Sequence, residues 1–143
     1  SVGLGDAGRW GVQPAEAAEK AADLVAVLKT DRAALEPIPQ LLKEENWDKI
    51  RTILKQPPVG YLWNLGESRN TIQKLGEASG DGDILDLKEE VSNALQLCDQ
   101  FTYDNSFIKF QPGDGKVRLK EPTEQAQIAM AKLDKIIEMA GSS

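Results

Sequence analysis

Apolar residues recur at helical spacing in four separate stretches of this chain, roughly residues 14–35, 46–75, 83–103 and 122–139. Recurrence at i, i+3, i+4 and i+7 is what one buried helical face requires, so the chain is restricted to helix packed on helix. The last stretch is the clearest. Pro122 suits a first helical position, Glu121 and Glu124 favour the positive end of the helix dipole, and Ala126, Ala129, Met130, Leu133, Ile136, Ile137 and Ala140 form a single stripe. The expectation is an all-α fold, a four-helix bundle built by residues 14–143 behind a flexible N-terminal segment, residues 1–13.

The punctuation between the stripes agrees with this reading. Pro14 opens the first helix, whose inner stripe is Ala18, Ala21, Ala22, Val25, Leu28 and Leu35, with Lys29 and Arg32 outward. Pro37 and Pro39 interrupt it, because proline lacks the donor a helix needs, and Ile38, Leu41 and Leu42 then form a short bridging turn. Asn46 is a good N-cap for the second helix, with Trp47, Ile50, Ile53 and Leu54 on one face. Gln56-Pro57-Pro58 must kink or split that helix before Tyr61, Leu62, Leu65, Ile72 and Leu75 resume the pattern. Residues 77–83 read as a loop, with Asp83 capping a third helix whose stripe is Ile84, Leu87, Val91, Ala94, Leu95, Cys98 and Phe101. One β-like signal stands out. Phe107, Ile108 and Phe110 can pair across a Pro-Gly-Asp-Gly turn with Val117 and Leu119, as a small β-hairpin between helices three and four.

Several functional classes are disfavoured by composition. A net charge of -6 and a pI of about 4.7 argue against general binding to nucleic acid or anionic membrane, which rest on excess Lys and Arg. Charges interrupt every apolar run well before the roughly 20 residues of a membrane span. Histidine is absent, and with it the commonest general base and metal ligand. Cys98, the only cysteine, lies on an apolar stripe beside Leu95 and Phe101, where it reads as a small buried hydrophobe and not a nucleophile. The acidic run Asp81, Asp83, Asp86, Glu89 and Glu90 lacks calcium-loop spacing and is explained by capping and dipole compensation. The GLGDAG of residues 3–8 precedes no strand and lacks the P-loop lysine. The chain is therefore expected to be no enzyme, with no catalytic, cofactor-binding or metal-binding residue and no cofactor.

The segments AEAAEKAADLVAVLK, ENWDKIRTILK, YLWNLGESRNTIQKL and EPTEQAQIAMAKLDKIIEMA resemble the PsbQ-like family over roughly residues 15–140. Trp47 at the start of helix two and the Pro122-Thr123-Glu124 opening of helix four carry most of the likeness. The resemblance implies an up-down four-helix bundle and a non-enzymatic extrinsic subunit of photosystem II. Such a subunit would be peripheral on the lumenal side of the chloroplast thylakoid membrane, not inserted, and would support the oxygen-evolving complex. Its partners would be photosystem II lumenal subunits and other extrinsic proteins, and a monomer is the default when free. A lumenal assembly factor, or a PsbQ-like subunit of the chloroplast NDH complex, is the alternative. The chain departs from the plant pattern in its short Gly-rich lead, in Pro57-Pro58 and in the extra Phe107 to Leu119 segment, which points toward an algal or diatom relative. A first residue of Ser1 suits a processed mature chain or one trimmed for expression.

Charge is unevenly distributed. Residues 46–75 hold Lys49, Arg51, Lys55, Arg69 and Lys74 against Asp48 and Glu67, a balance of +3, while residues 76–105 balance at -7. This asymmetry either steers docking onto a charged partner or holds helices two and three together. Helical spacing cannot turn Tyr61, Leu62 and Trp63 all inward, so Tyr61 or Trp63, with Arg69, is a candidate anchor. The expected partner-binding residues are Lys49, Arg51, Lys55, Tyr61, Trp63, Arg69 and Lys74.

Overall fold

The computed structural model describes residues 14–108 and 115–141, and among these it is helical without strands. Helix α1 spans Pro14–Leu35, and a short α2, Ile38–Lys43, turns the chain toward α3, Trp47–Lys55. Two 3-10 turns, Val59–Leu62 and Glu67–Arg69, lead to α4, Thr71–Ser79. Two long helices follow, α5, Gly82–Ser106, and α6, Lys120–Gly141. Packing closes a ring: α1 lies on α4, α4 on α5, α5 on α6, and α6 back on α1, with α3 against α5. Every stretch expected to be helical contributes to this helical bundle.

The second expected helix is split. After Lys55 the Gln56-Pro57-Pro58 sequence withdraws backbone donors, and the chain tightens into the Val59–Leu62 turn instead of continuing the α-helix. Gly60 permits the close return, since a Cβ there would stand 2.3 Å from the Lys55 carbonyl oxygen. Asn70 then restarts the helix from a buried position. Its Oδ1 accepts from the amides of Ile72 and Gln73 at 2.9 and 3.1 Å, and its Nδ2 donates to the Leu62 carbonyl at 3.1 Å.

Other starts and stops refine the expected ones. Asn46 caps α3 by accepting from the Lys49 amide, as its residue type requires. Asp81, not Asp83, caps α5, accepting from the Asp83 amide at 2.9 Å. Helix α6 begins at Lys120, so Pro122 falls inside its first turn, where no intrahelical donor is needed. The core comprises Leu28, Leu35, Ile50, Leu54, Ile72, Leu75, Leu95, Leu133 and Ile136 among others, with Cys98 fully buried in it.

Further expectations fail. Leu65 is 47% exposed, because it lies between the two 3-10 turns and not on a helical face. Ala18 and Ala22 are exposed, because burial on α1 deepens only toward its C-terminal half, through Leu28, Asp31 and Leu35. The β-hairpin is not found among the described residues; Phe110 and most of its turn, residues 112–114, lie outside them. Phe107 instead closes α5 in right-handed helical geometry, and residues 115–119 form no strand. Asn105 supplies the pairing a neighbouring strand would have supplied: its Nδ2 donates to the Arg118 carbonyl at 2.7 Å and its Oδ1 accepts from the Arg118 amide at 2.9 Å. The flexible segment expected over residues 1–13 also lies outside the described residues.

Candidate docking face

The turns between α3 and α4 decide where the expected contact residues go. Because Pro58 and Gly60 fold the Val59–Leu62 turn inward, Tyr61 comes to rest half-buried against α1. It shares a cleft of about 440 Å³ with Leu24, Val27, Pro58, Arg69, Thr71 and Lys74. A second cleft of about 430 Å³, lined by Lys20, Leu24, Lys74, Glu77 and Ala78, adjoins it through Leu24 and Lys74. Tyr61, Arg69 and Lys74 are thus brought together, though 13 positions separate the first from the last.

The two turns are anchored from both sides. Lys88 of α5 is buried and donates to Glu67 and, at 2.8 Å, to the Gln73 side chain, tying the Glu67–Arg69 turn to the bundle. That bond to Glu67 raises the lysine above its ordinary pKa and outweighs the desolvation that opposes it. Asn70 fixes the other side through Leu62. Arg69 and Lys74 are therefore carried on ordered backbone, and both side chains are exposed without an ion pair among the described residues.

The remaining candidates are dispersed. Arg51 is turned toward α5, with Nε donating to Asp99 at 3.0 Å and its guanidinium 4.6 Å from the centre of the Tyr103 ring. It is a helix-to-helix link, and the Tyr103 ring in turn meets Phe107 edge-on at 4.8 Å. Trp63 donates its indole N–H to the Leu54 carbonyl at 2.7 Å and packs on the core. Lys49 and Lys55 are exposed on α3, with Lys55 in a separate cleft beside Asp48, Arg51 and Gln56. A further cleft of about 470 Å³ lies between the C-terminal end of α5 and the segment before α6, lined by Tyr103, Phe107, Lys116 and Arg118 among others, and holds none of the expected contact residues.

Three residues of the basic cleft were missed. Lys20, Leu24 and Val27 recur at i, i+4 and i+7 on α1, a second stripe beside the core stripe that helical periodicity alone could have revealed. Asp31 was missed as well. It is fully buried, neither carboxylate oxygen has a hydrogen-bond partner, and burial pushes its pKa up to about 7. Among the described residues no group of three or more His, Cys, Asp or Glu could hold a metal, and no helix is long and apolar enough to cross a membrane. In comparisons with protein-family models, curated proteins and solved structures, nothing matches this chain.

Proposed function

We propose that this chain is a non-enzymatic extrinsic subunit of photosystem II that docks on the lumenal face of the complex and supports the oxygen-evolving centre. In this reading the helical bundle has up-down four-helix topology, with α3, the two turns and α4 together serving as the second helix. The protein is peripheral to the thylakoid membrane in the chloroplast lumen, contacts lumenal subunits and other extrinsic proteins, and carries no cofactor. Its contribution is to shield the centre and help retain calcium and chloride, not to ligate the cluster.

One observation carries this reading furthest: Tyr61, Arg69 and Lys74 converge in a single cleft, and neither cation forms an ion pair among the described residues, in a chain whose net charge is -6. An uncompensated basic patch on an acidic protein raises encounter with an acidic surface in one orientation and not others. The half-buried tyrosine beside it is the residue type favoured at binding hot spots.

Rebinding to photosystem II membranes stripped of extrinsic proteins tests the reading, with oxygen evolution as readout. The unmodified chain should rebind and restore activity, and the double variant Arg69→Glu/Lys74→Glu should associate about tenfold more slowly at low salt. Rebinding by that variant at the parent's rate excludes this face. Failure of the unmodified chain to rebind excludes the photosystem assignment and favours the assembly-factor or NDH reading.

A further inference from the structure

The two clefts that share Leu24 and Lys74 form one groove between α1 and α4. From Lys20 to Val27 the α1 wall rises about 10 Å, at about 1.5 Å per residue. Cations stand along this length instead of clustering at one point: Lys20 beside Lys74 in one cleft, and Arg69 beside Lys74 in the other. None of the three forms an ion pair among the described residues. The acid on the groove wall, Glu77, already accepts from the Gln73 amide group at 3.2 Å. Between the cations the floor is apolar, with Leu24 half-buried and Val27 36% exposed.

We propose that this groove receives an acidic, apolar segment of the partner protein, its carboxylates on Lys20, Lys74 and Arg69 and its apolar side chains on Leu24, Val27 and Tyr61. The proposal deepens the docking reading above and rests on it. Charge complementarity selects the acids, because three exposed cations that form no ion pair among the described residues, against the single acid Glu77 in the groove lining, attract carboxylates. Spacing selects a polypeptide: cations placed in two adjoining clefts, along an α1 wall of about 10 Å, suit carboxylates carried on successive turns or alternate residues of one chain, whereas a single head group meets one cleft only. Openness points the same way. An acyl chain or small ligand needs a pocket that covers most of its surface, and this groove is a cleft open to solvent along its length.

Selection of a displayed random dodecapeptide library on the immobilised full chain tests the assignment without any photosystem present. The enriched peptides should combine Asp or Glu with neighbouring apolar residues. They should bind Arg69→Glu/Lys74→Glu at least tenfold more weakly, while Lys49→Glu/Lys55→Glu, which changes net charge equally, should bind them like the parent. Val27→Glu, which puts an acid on the floor, should reproduce the loss, and circular dichroism of each variant should match the parent. Absence of enrichment, enrichment of peptides without acids, or equal binding by the two double variants overturns the proposal. Binding of phosphatidylglycerol vesicles that is lost in Arg69→Glu/Lys74→Glu overturns it in favour of a lipid head group. If selection fails while rebinding to stripped membranes remains salt-sensitive, the groove is excluded and the docking reading stands. If selection succeeds while rebinding fails, only the photosystem partner is excluded.

Discussion

Asp31 lies between Leu28 and Leu35 on the α1 face that points into the core, and no donor in the described structure meets its oxygens. In the unfolded chain this carboxyl loses its proton near pH 3.8, whereas in the folded protein burial holds the proton until about 7. Well below pH 3.8 both states are protonated and the group costs nothing electrostatically. As pH rises toward 7 the unfolded chain releases the proton first, so stability falls across this window and levels off above it. At about 1.4 kcal/mol per pH unit the loss amounts to about 4 kcal/mol. Asp31→Asn should remove this component: urea unfolding should show the variant gaining on the parent between pH 5 and pH 8, and parallel pH profiles would refute it. Cys98 shows burial acting on a thiol. Desolvation, with the Asp99 charge adding to it, pushes the thiol up to about 12, so a thiol reagent should label it slowly in native protein and rapidly in denaturant.

At the scale of single elements, the connections decide more than the helices. Asn70 satisfies two orphan amides of α4 and the Leu62 carbonyl together, so Asn70→Ala should cost about 2 kcal/mol in chemical denaturation. It should also weaken groove ligands, because the same side chain holds the turns that present Tyr61 and Arg69. The end of α2 is different in kind. Glu45 adopts φ of 56°, the left-handed conformation usually given to glycine, while the amides of Glu45 and Asn46 return to the carbonyls of Leu42 and Leu41. Glu45→Gly should therefore raise stability by up to about 1 kcal/mol, and a lower melting temperature would show that the glutamate side chain contributes there.

For the molecule as a whole, the charge asymmetry is only partly consumed inside the fold. Of the five cations in residues 46–75, Arg51 alone pairs with an acid of residues 76–105, through Asp99. Attraction between the second and third helical stretches therefore accounts for one cation, while Lys49, Lys55, Arg69 and Lys74 remain on the surface. Salt should accordingly affect association and stability differently. Raising ionic strength from about 0.02 to about 0.5 M, well past the point where exposed charges are screened, should slow rebinding strongly and shift the free protein's melting temperature only slightly. A large melting shift would place the charges in the fold's own stability.

The helical stripes, the proline breaks and the Asn46 cap were legible in the sequence, because helical periodicity and local hydrogen-bonding chemistry act over a few residues. The four expected helical stretches therefore appear, and Cys98 is buried where its stripe placed it. Rotation of side chains at the split in the second stretch was not legible, since a 3-10 turn has no stripe to follow. Only tertiary packing turned Trp63 onto the Leu54 carbonyl and Arg51 onto Asp99, and left Tyr61 with Arg69 and Lys74. The same packing buried Asp31 without a partner and brought Lys20, Leu24 and Val27 of α1 beside α4. A docking groove made by two helices depends on which face each presents to the other, and that is set by the ring of helix contacts, not by any one stretch of chain.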